Sequence, residues 1–203
     1  MKQKSCANLT NMKILLTFFV LFFSSSVFAD DISDFEIRGM SIGDSLLDHY
    51  SRNKIINFKN LDHLPSDMKF RNAYFYDSKP KIDNYDTILV SYKPEDNNFI
   101  IYELTGVVNC FSKQECKKLF NDMLNDISKV FNNSQRLGGE TLTSPDDPSG
   151  KSKHTSYIYE LNRGLIWIQY QDWIADSGFQ TNVRIGISTN EVDDWINSNW
   201  GLN

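Results

Sequence analysis

The side chain best placed by its neighbours to act as a nucleophile is Ser45, which follows Gly43-Asp44. A serine hydroxyl is a poor nucleophile until a base removes its proton, and that base is usually a histidine oriented by an aspartate. The chain has three histidines, His49, His63 and His154. His49 would lie one helical turn from Ser45, so closeness of that pair would follow from geometry alone. Ser45, with one of these histidines as its base, is therefore an alternative hypothesis for a catalytic residue.

The string Gly43-Asp44-Ser45-Leu46 resembles the first block of the GDSL family of serine esterases. The resemblance implies a nucleophilic Ser45, an aspartate three residues before the catalytic histidine, and a parallel sheet. The residues three places before the histidines are instead Leu46, Asn60 and Lys151. The family's G-x-N-D block is also missing. We therefore interpret the string as the first turn of a capped helix and expect no catalytic residue.

The sequence gives little support for a metal-binding or a phosphate-binding site. The histidines are isolated, and the acidic pairs Asp30-Asp31, Asp146-Asp147 and Asp193-Asp194 lack the calcium-loop spacing with its central glycine. Gly150-Lys151-Ser152, in a predicted exposed loop, imitates the end of a phosphate-binding loop, but Pro145 stands where that motif requires a glycine. A strand is predicted to follow, whereas the motif needs a helix. We expect no metal ion and no cofactor.

A predicted hairpin comprises the strands Thr155–Leu161 and Leu165–Trp173, joined by Asn162-Arg163-Gly164. The glycine suits the left-handed position that ends a three-residue turn. This turn places Leu161 opposite Leu165. His154 then falls opposite Asp172 on the same face, where their opposite charges would favour protonated histidine.

The same register distributes the aromatic residues of the hairpin between two faces. One face carries Tyr157, Tyr159 and Trp167, with Gln169 beside them. The other carries Ile158, Ile166 and Ile168. Aromatic residues at alternate strand positions are most often core, but an open face of this composition would bind a peptide or a sugar.

The N-terminal residues have the charge, apolar run and small-residue exit of a secretory signal peptide. Lysines precede the apolar stretch Ile14–Ala29, whether translation begins at Met1 or at Met12. The stretch is shorter than the roughly 20 residues that span a bilayer. We expect a signal peptide over residues 1–29 and a single domain over residues 30–203. The expected product is periplasmic or secreted, with no membrane span after signal cleavage.

Charge and cysteine content agree with export and argue against nucleic acid as a partner. The net charge of the 203-residue chain is −5, and loss of the three leader lysines takes it to −8. An acidic chain with scattered lysines does not suit a phosphate backbone. Cys6 lies in the leader, which leaves Cys110 and Cys116. In an oxidising compartment this pair most simply forms a disulfide, and the alternative is two buried thiols.

The remaining pattern predicts an α+β fold. Apolar residues recur at helical spacing from Ser112 to Phe131, after a capping box that ends at Glu115. Similar capping signals predict shorter helices that begin at Ser41 and at Ser188. Six strands are predicted, at Lys69–Tyr76, Tyr85–Tyr92, Phe99–Asn109, Thr155–Leu161, Leu165–Trp173 and Thr181–Ser188. The order is helix, three strands, helix, three strands, helix, with antiparallel sheets packed by helices.

Several segments resemble a family of small exported proteins from marine alphaproteobacteria whose activity is uncharacterised. The similar segments are residues 35–48, Asp147-Pro148-Ser149-Gly150-Lys151-Ser152, Tyr157-Ile158-Tyr159-Glu160 and Asp194-Trp195-Ile196. The resemblance implies export and no activity. More loosely, Gly39-Met40-Ser41 is similar to the start of outer-membrane assembly lipoproteins and β-lactamase-inhibitor proteins, which bind other proteins. The anchoring cysteine of the lipoproteins has no counterpart after the apolar run.

We therefore expect an exported, non-enzymatic protein of the envelope or periplasm that acts as a binding module, with another envelope protein as its partner. The first alternative is a serine esterase built on Ser45. The second is a small-ligand binder that holds a peptide or a sugar on Tyr157, Tyr159 and Trp167.

Overall fold

A computed structural model describes residues 31–57, 68–76, 85–132 and 134–200. The expected signal peptide, residues 1–29, lies outside these ranges. Within them, no helix combines the length and the apolar character needed to cross a bilayer.

The described residues form one seven-stranded antiparallel sheet. The strands follow the order β1-β2-β3-β7-β6-β5-β4 across the sheet, so that the last strand in the chain lies at its centre. Their bounds are β1 Arg71–Tyr76, β2 Thr87–Tyr92, β3 Glu103–Asn109, β4 Arg136–Thr143, β5 Lys153–Leu161, β6 Gly164–Asp172 and β7 Asn182–Thr189. The α+β class and the antiparallel pairing are confirmed, but the strand count differs from the predicted six.

The additional strand is β4, an exposed edge strand. The glycine pair Gly138-Gly139 lies inside it at a bulge before Thr141. Both glycines have positive φ, and a Cβ on Gly138 would lie 2.3 Å from the Ser156 carbonyl oxygen. Because β4 is solvated along almost its whole length, it lacks the apolar alternation by which a strand is recognised.

Three α-helices are described: α1 Arg52–Asn57, α2 Lys113–Val130 and α3 Asn190–Trp200. Ser112 caps α2 as predicted, and Glu115 reaches back to the amide one residue before the cap instead of to the cap itself. Ser112 Oγ accepts from the Glu115 amide at 3.2 Å, and Glu115 Oε2 accepts from the Phe111 amide at 3.1 Å. α2 and α3 therefore begin within two residues of their predicted starts.

The helix predicted to begin at Ser41 is wrong. The Asp44 carboxylate does accept from the Ser41 amide, at 2.8 Å, but Gly43 between them has a φ of +94°. A left-handed residue interrupts helical hydrogen bonding. The chain instead forms a bridge from Ser45 to Ile100 and a single 3-10 turn over Leu46–Asp48.

One face of the sheet, which we call the inner face, carries the main core. Its fully buried side chains are Ile88, Val90, Leu104, Ile166, Ile168, Ile185 and Ile187. Phe120 of α2 and Phe131, which follows the helix, pack on this face against Tyr157 and Tyr159, and the N-terminal segment adds Ile32 to the same cluster. Each buried isoleucine contributes about 1.5–3 kcal/mol to folding.

The register of the β5–β6 hairpin differs by one residue from the prediction. Leu161 pairs with Gly164, and His154 pairs with Gln171 instead of Asp172. The turn has two residues, and Gly164 does not have a positive φ. Glycine is required there because a Cβ would lie 2.1 Å from the Ser188 carbonyl oxygen of β7.

The predicted disulfide is present and links the residue after β3 to the first turn of α2. The Cα atoms of Cys110 and Cys116 are 5.5 Å apart, and both residues are buried. The bond holds the start of the long helix against the end of a central strand. It also fits an oxidising compartment.

We predict that the double variant Cys110→Ala, Cys116→Ala loses about 2 kcal/mol of unfolding free energy, because a short cross-linked loop restricts the unfolded chain by about that amount. Urea unfolding of the oxidised wild type and of the variant measures the difference. Reduction of the wild type serves as the control and should give a similar loss. Two free thiols in the unfolded, unreduced wild type would contradict the bond.

Candidate functional site

The predicted aromatic ligand face is wrong, because the actual register separates its members. Tyr157 and Tyr159 lie on the inner face with Ile168 and Ile166, whereas Trp167 lies on the opposite face. The ring of Tyr159 is 1% exposed, and its hydroxyl hydrogen-bonds Ser128 Oγ at 2.6 Å. These two tyrosines are core residues under α2.

Ser45 has a structural role as the cap of the 3-10 turn. Its Oγ donates to the Asn98 carbonyl at 2.6 Å and accepts from the Leu47 amide at 3.2 Å. Nε2 of His49 lies 4.0 Å from Asp44 Oδ2, and His154 lies on β5 opposite Gln171. His63 lies outside the described residues.

The face of the sheet opposite α2, which we call the outer face, carries an aromatic and apolar row across the strands. Cross-strand pairing runs from Tyr74 on β1 through Leu89, Thr105 and Gly186 to Trp167 on β6. Gly186 allows this row to be flat, because a Cβ there would lie 2.3 Å from Cε2 of Trp167. The indole therefore lies across the backbone of β7 and is half-buried.

A second row, next to the first, contains a half-buried arginine. Arg184 on β7 pairs with Val107 on β3 and with Gln169 on β6. Its Nε donates to Asn182 Oδ1 at 3.1 Å. Among the described residues, the two terminal guanidinium nitrogens have no hydrogen bond and no ion pair. Arg184 thus presents an unused pair of charged donors at the centre of the outer face.

The electrostatic surroundings of Arg184 are partly dehydrated. Burial lowers the pKa of its guanidinium, and the Asp146 carboxylate and the Tyr74 phenol oppose that change. Burial also raises the pKa of the Tyr74 phenol, and Arg184 counteracts that increase. Arginine nevertheless remains charged at physiological pH. Its fork of donors matches the geometry of a carboxylate or a phosphate.

Amide side chains next to Arg184 are held in fixed orientations. Gln171 Nε2 donates to Gln169 Oε1 at 2.7 Å, and Gln169 Nε2 donates to Ser156 Oγ at 2.8 Å. Asn182 Nδ2 donates to the Gln180 carbonyl at 2.8 Å. Because their neighbours hold them in place, the donors and acceptors of these amides have fixed directions.

Two elements border this part of the outer face. At one end lies α3, where the Asp193 carboxylate is close enough to Glu103 of β3 to affect its pKa. At the other end is the loop Ser144–Ser152, whose Asp146 acts electrostatically on both Arg184 and His154. Between them lies the surface that we call the Arg184 strip, defined by Tyr74, Leu89, Val107, Trp167, Gln169 and Arg184.

The loop Ser144–Ser152 is ordered by one buried carboxylate. Asp147 accepts from the Ser149 amide at 2.9 Å and from the Ser152 amide at 2.7 Å. Hydrogen bonds from the side chains of Ser152 and Ser149, together with these amides, hold the pKa of Asp147 well below its ordinary value. The strand β5 follows at Lys153. The string Gly150-Lys151-Ser152 is therefore part of a turn built around Asp147, followed by a strand as predicted.

The Arg184 strip was not identified among the sequence candidates, apart from Trp167 and Gln169. The signal was present in the predicted strand Thr181–Ser188, where Val183, Ile185 and Ile187 define the core side. Arg184 necessarily falls on the opposite side. Within the described ranges, no group of three or more histidine, cysteine or acidic residues is arranged to hold a metal ion.

Comparison with known proteins gives no relative for this chain. No family model matches it, and neither a curated protein nor a solved structure matches it significantly.

We predict that Ser45→Ala does not change the rate of p-nitrophenyl acetate hydrolysis, because the hydroxyl serves the backbone at Asn98 and Leu47. The same substitution should lower the unfolding free energy by about 1 kcal/mol through loss of the cap. Urea unfolding and the hydrolysis assay test both parts. Ser45→Thr keeps the hydroxyl and is the control. A Ser45-dependent rate well above background would make the esterase hypothesis the leading one.

A second prediction concerns Glu103, at the α3 end of the outer face. Burial raises the pKa of its carboxyl above the ordinary 4.5, and the Asp193 carboxylate adds to this increase. The Ser91 hydroxyl, which donates to Oε2 at 2.6 Å, opposes the increase. A raised pKa in the folded state means that stability is complete below about pH 4.5 and is lost as the pH rises through the folded-state pKa.

We therefore expect Glu103→Gln to raise the Tm at pH 7 and to have little effect at pH 4, where glutamic acid is also neutral. Thermal unfolding at the two pH values measures the change. Exposed Glu95, in the turn between β2 and β3, provides the matched control Glu95→Gln. A lower Tm for Glu103→Gln at pH 7 would show that the charged carboxylate is favourable at this position.

Proposed function

We propose that this protein is an exported, non-enzymatic binding module of the cell envelope, and that its Arg184 strip holds a partner protein through a carboxylate. The observation that carries the proposal is the half-buried Arg184, whose terminal nitrogens are unpaired among the described residues. The exported envelope location follows from the expected signal peptide and is supported by the disulfide.

The charge of Arg184 favours an anionic partner. A guanidinium that has lost part of its hydration is stabilised when a carboxylate accepts from both terminal nitrogens. Asp146 acts on Arg184 through space, but the two form no ion pair. A bound carboxylate would supply the direct contact that this arrangement lacks.

The surroundings of Arg184 favour a peptide as the carrier of the carboxylate. Trp167 and Tyr74 offer aromatic surfaces on either side, which suit aliphatic and aromatic side chains. Gln169 and Asn182 offer oriented amides next to the arginine, which suit the polar groups of a peptide backbone. Apolar surface around one charged anchor is typical of a protein-recognition site.

The geometry around Ser45 agrees with a non-enzymatic role. The hydroxyl proton is directed to the Asn98 carbonyl, and the oxygen accepts from a backbone amide. This use of the hydroxyl argues against Ser45 as a nucleophile.

The proposal is tested with a pool of random hexapeptides that lacks aspartate and glutamate, so that the C-terminus provides the single carboxylate. Immobilised protein, residues 30–203, is incubated with the free-acid pool and with the same pool amidated. Mass spectrometry then measures the enrichment of bound peptides. We expect enrichment of the free-acid pool, reduced about tenfold or more in Arg184→Gln, because a charged hydrogen-bonded pair is worth about 1.5–3 kcal/mol.

Arg136→Gln is the matched control, since Arg136 is an arginine of the same sheet that stacks on Tyr157 at 5.1 Å instead of lining the strip. It should retain the enrichment. Equal capture of the acid and amidated pools, or unchanged capture by Arg184→Gln, would contradict the proposal.

A further inference from the structure

A cavity of about 290 Å³ lies on the other side of the sheet, between the first half of α2 and the ends of strands β4 to β6. Lys117 and Asn121, one helical turn apart, line it from α2. Thr155, Tyr170 and Asp172 line it from the sheet. The Arg184 strip is on the outer face, so the two surfaces are independent.

The buried polar group of the cavity is the hydroxyl of Tyr170. Tyr170 is 6% exposed, and its hydroxyl lies next to the Asp172 carboxylate without a well-aligned hydrogen bond to any described residue. Burial, reinforced by Asp172, raises the pKa of the phenol to about 12, so the hydroxyl keeps its proton. The acceptor next to this donor is a carboxylate already paired with Lys113, and a ligand oxygen in the cavity would offer the hydroxyl a better-aligned bond.

The charge around the cavity is positive. Asp172 is already neutralised by an ion pair with Lys113. Lys153 donates to two uncharged acceptors, Thr143 Oγ1 at 2.8 Å and the Gly150 carbonyl at 3.2 Å. Lys117 makes no ion pair among the described residues. Two lysine charges therefore remain unbalanced at the cavity.

The remaining wall combines hydroxyls with an aromatic ring. Thr141 and Thr155 hydrogen-bond each other through their Oγ1 atoms at 2.8 Å, and each retains capacity for a further bond. The ring of Phe120 forms the apolar part of the lining. A few convergent polar groups beside an aromatic surface are the usual composition of a small-molecule site.

We propose that this cavity binds a monosaccharide that carries one acidic group. The ring of the sugar would pack against Phe120, its hydroxyls would bond the threonine pair and the Tyr170 hydroxyl, and its acidic group would lie near Lys117 and Lys153. The volume suits one sugar unit rather than an oligosaccharide.

Isothermal titration of the chain over residues 30–203 tests this with four ligands: glucuronate, glucose 6-phosphate, glucose and inorganic phosphate. We expect the two charged sugars to bind, and glucose and inorganic phosphate to bind at least about fivefold more weakly. Glucose lacks the acidic group, and inorganic phosphate lacks the sugar ring. The carboxylate and the phosphate sugars distinguish which acidic group is preferred.

Lys117→Gln should weaken binding of both charged sugars about threefold to fivefold, as expected for a solvent-accessible charge. Its control is Lys118→Gln, on the same turn of α2, where Lys118 pairs with Asp122. Lys118→Gln and Arg184→Gln should both bind the charged sugars as the wild type does. Arg184→Gln also distinguishes this proposal from the one on the outer face.

Tyr170→Phe gives a readout that a purely structural role would not produce. Removal of a buried hydroxyl that lacks a well-aligned hydrogen bond should not lower the Tm of the free protein, while it weakens binding of the charged sugars. The proposal is overturned if neither charged sugar binds, if Lys117→Gln or Tyr170→Phe binds them as the wild type does, or if inorganic phosphate binds as tightly as glucose 6-phosphate.

Discussion

Strand β7 pairs with β3 along one edge and with β6 along the other, and it thereby joins two three-stranded units into one sheet. This pairing requires neighbouring groups to approach the strand backbone closely at two glycines. A Cβ on Gly164 would collide with the Ser188 carbonyl, and one on Gly186 would collide with the Trp167 ring. The other features of the molecule depend on this central pairing, because it fixes the register in which both faces are arranged.

The two faces that result have different chemistry. On the inner face, β7 contributes Val183, Ile185 and Ile187 to a core closed by α2. On the outer face, the same strand contributes Asn182 and Arg184, between residues of β3 and β6. Strand alternation separates an apolar packing surface from a more polar outer surface within one eight-residue strand. Neither surface is complete without residues from both three-stranded units.

Local sequence signals predicted what depends on neighbouring residues. The capping box at Ser112 and the apolar stripe of α2 identified the helix, and the single pair of cysteines left after the leader identified the disulfide. The same reasoning failed at Ser41, where an equally good capping pattern is interrupted by the left-handed Gly43. It also failed at β4, which is exposed and offers no apolar period to detect.

The candidate site was less predictable than the fold, for a reason that lies in the topology. Arg184, Trp167 and Tyr74 belong to three strands that are far apart in the sequence, and their proximity follows from the strand order. The hairpin register was wrong by one because Gly164 was interpreted as a turn residue, whereas its small size serves β7. A shift of one residue moves every side chain to the other face, so Trp167 was grouped with the wrong partners.

The position of β7 also has a consequence for the order of assembly. The strands β1 to β3 and β4 to β6 precede it in the chain, and each set is able to pair locally as soon as it has been synthesised. The outer surface around Arg184 forms only when the last strand enters between them. A nascent or partly folded chain therefore presents no intact Arg184 strip, so the partner binding proposed for that strip requires the completed sheet.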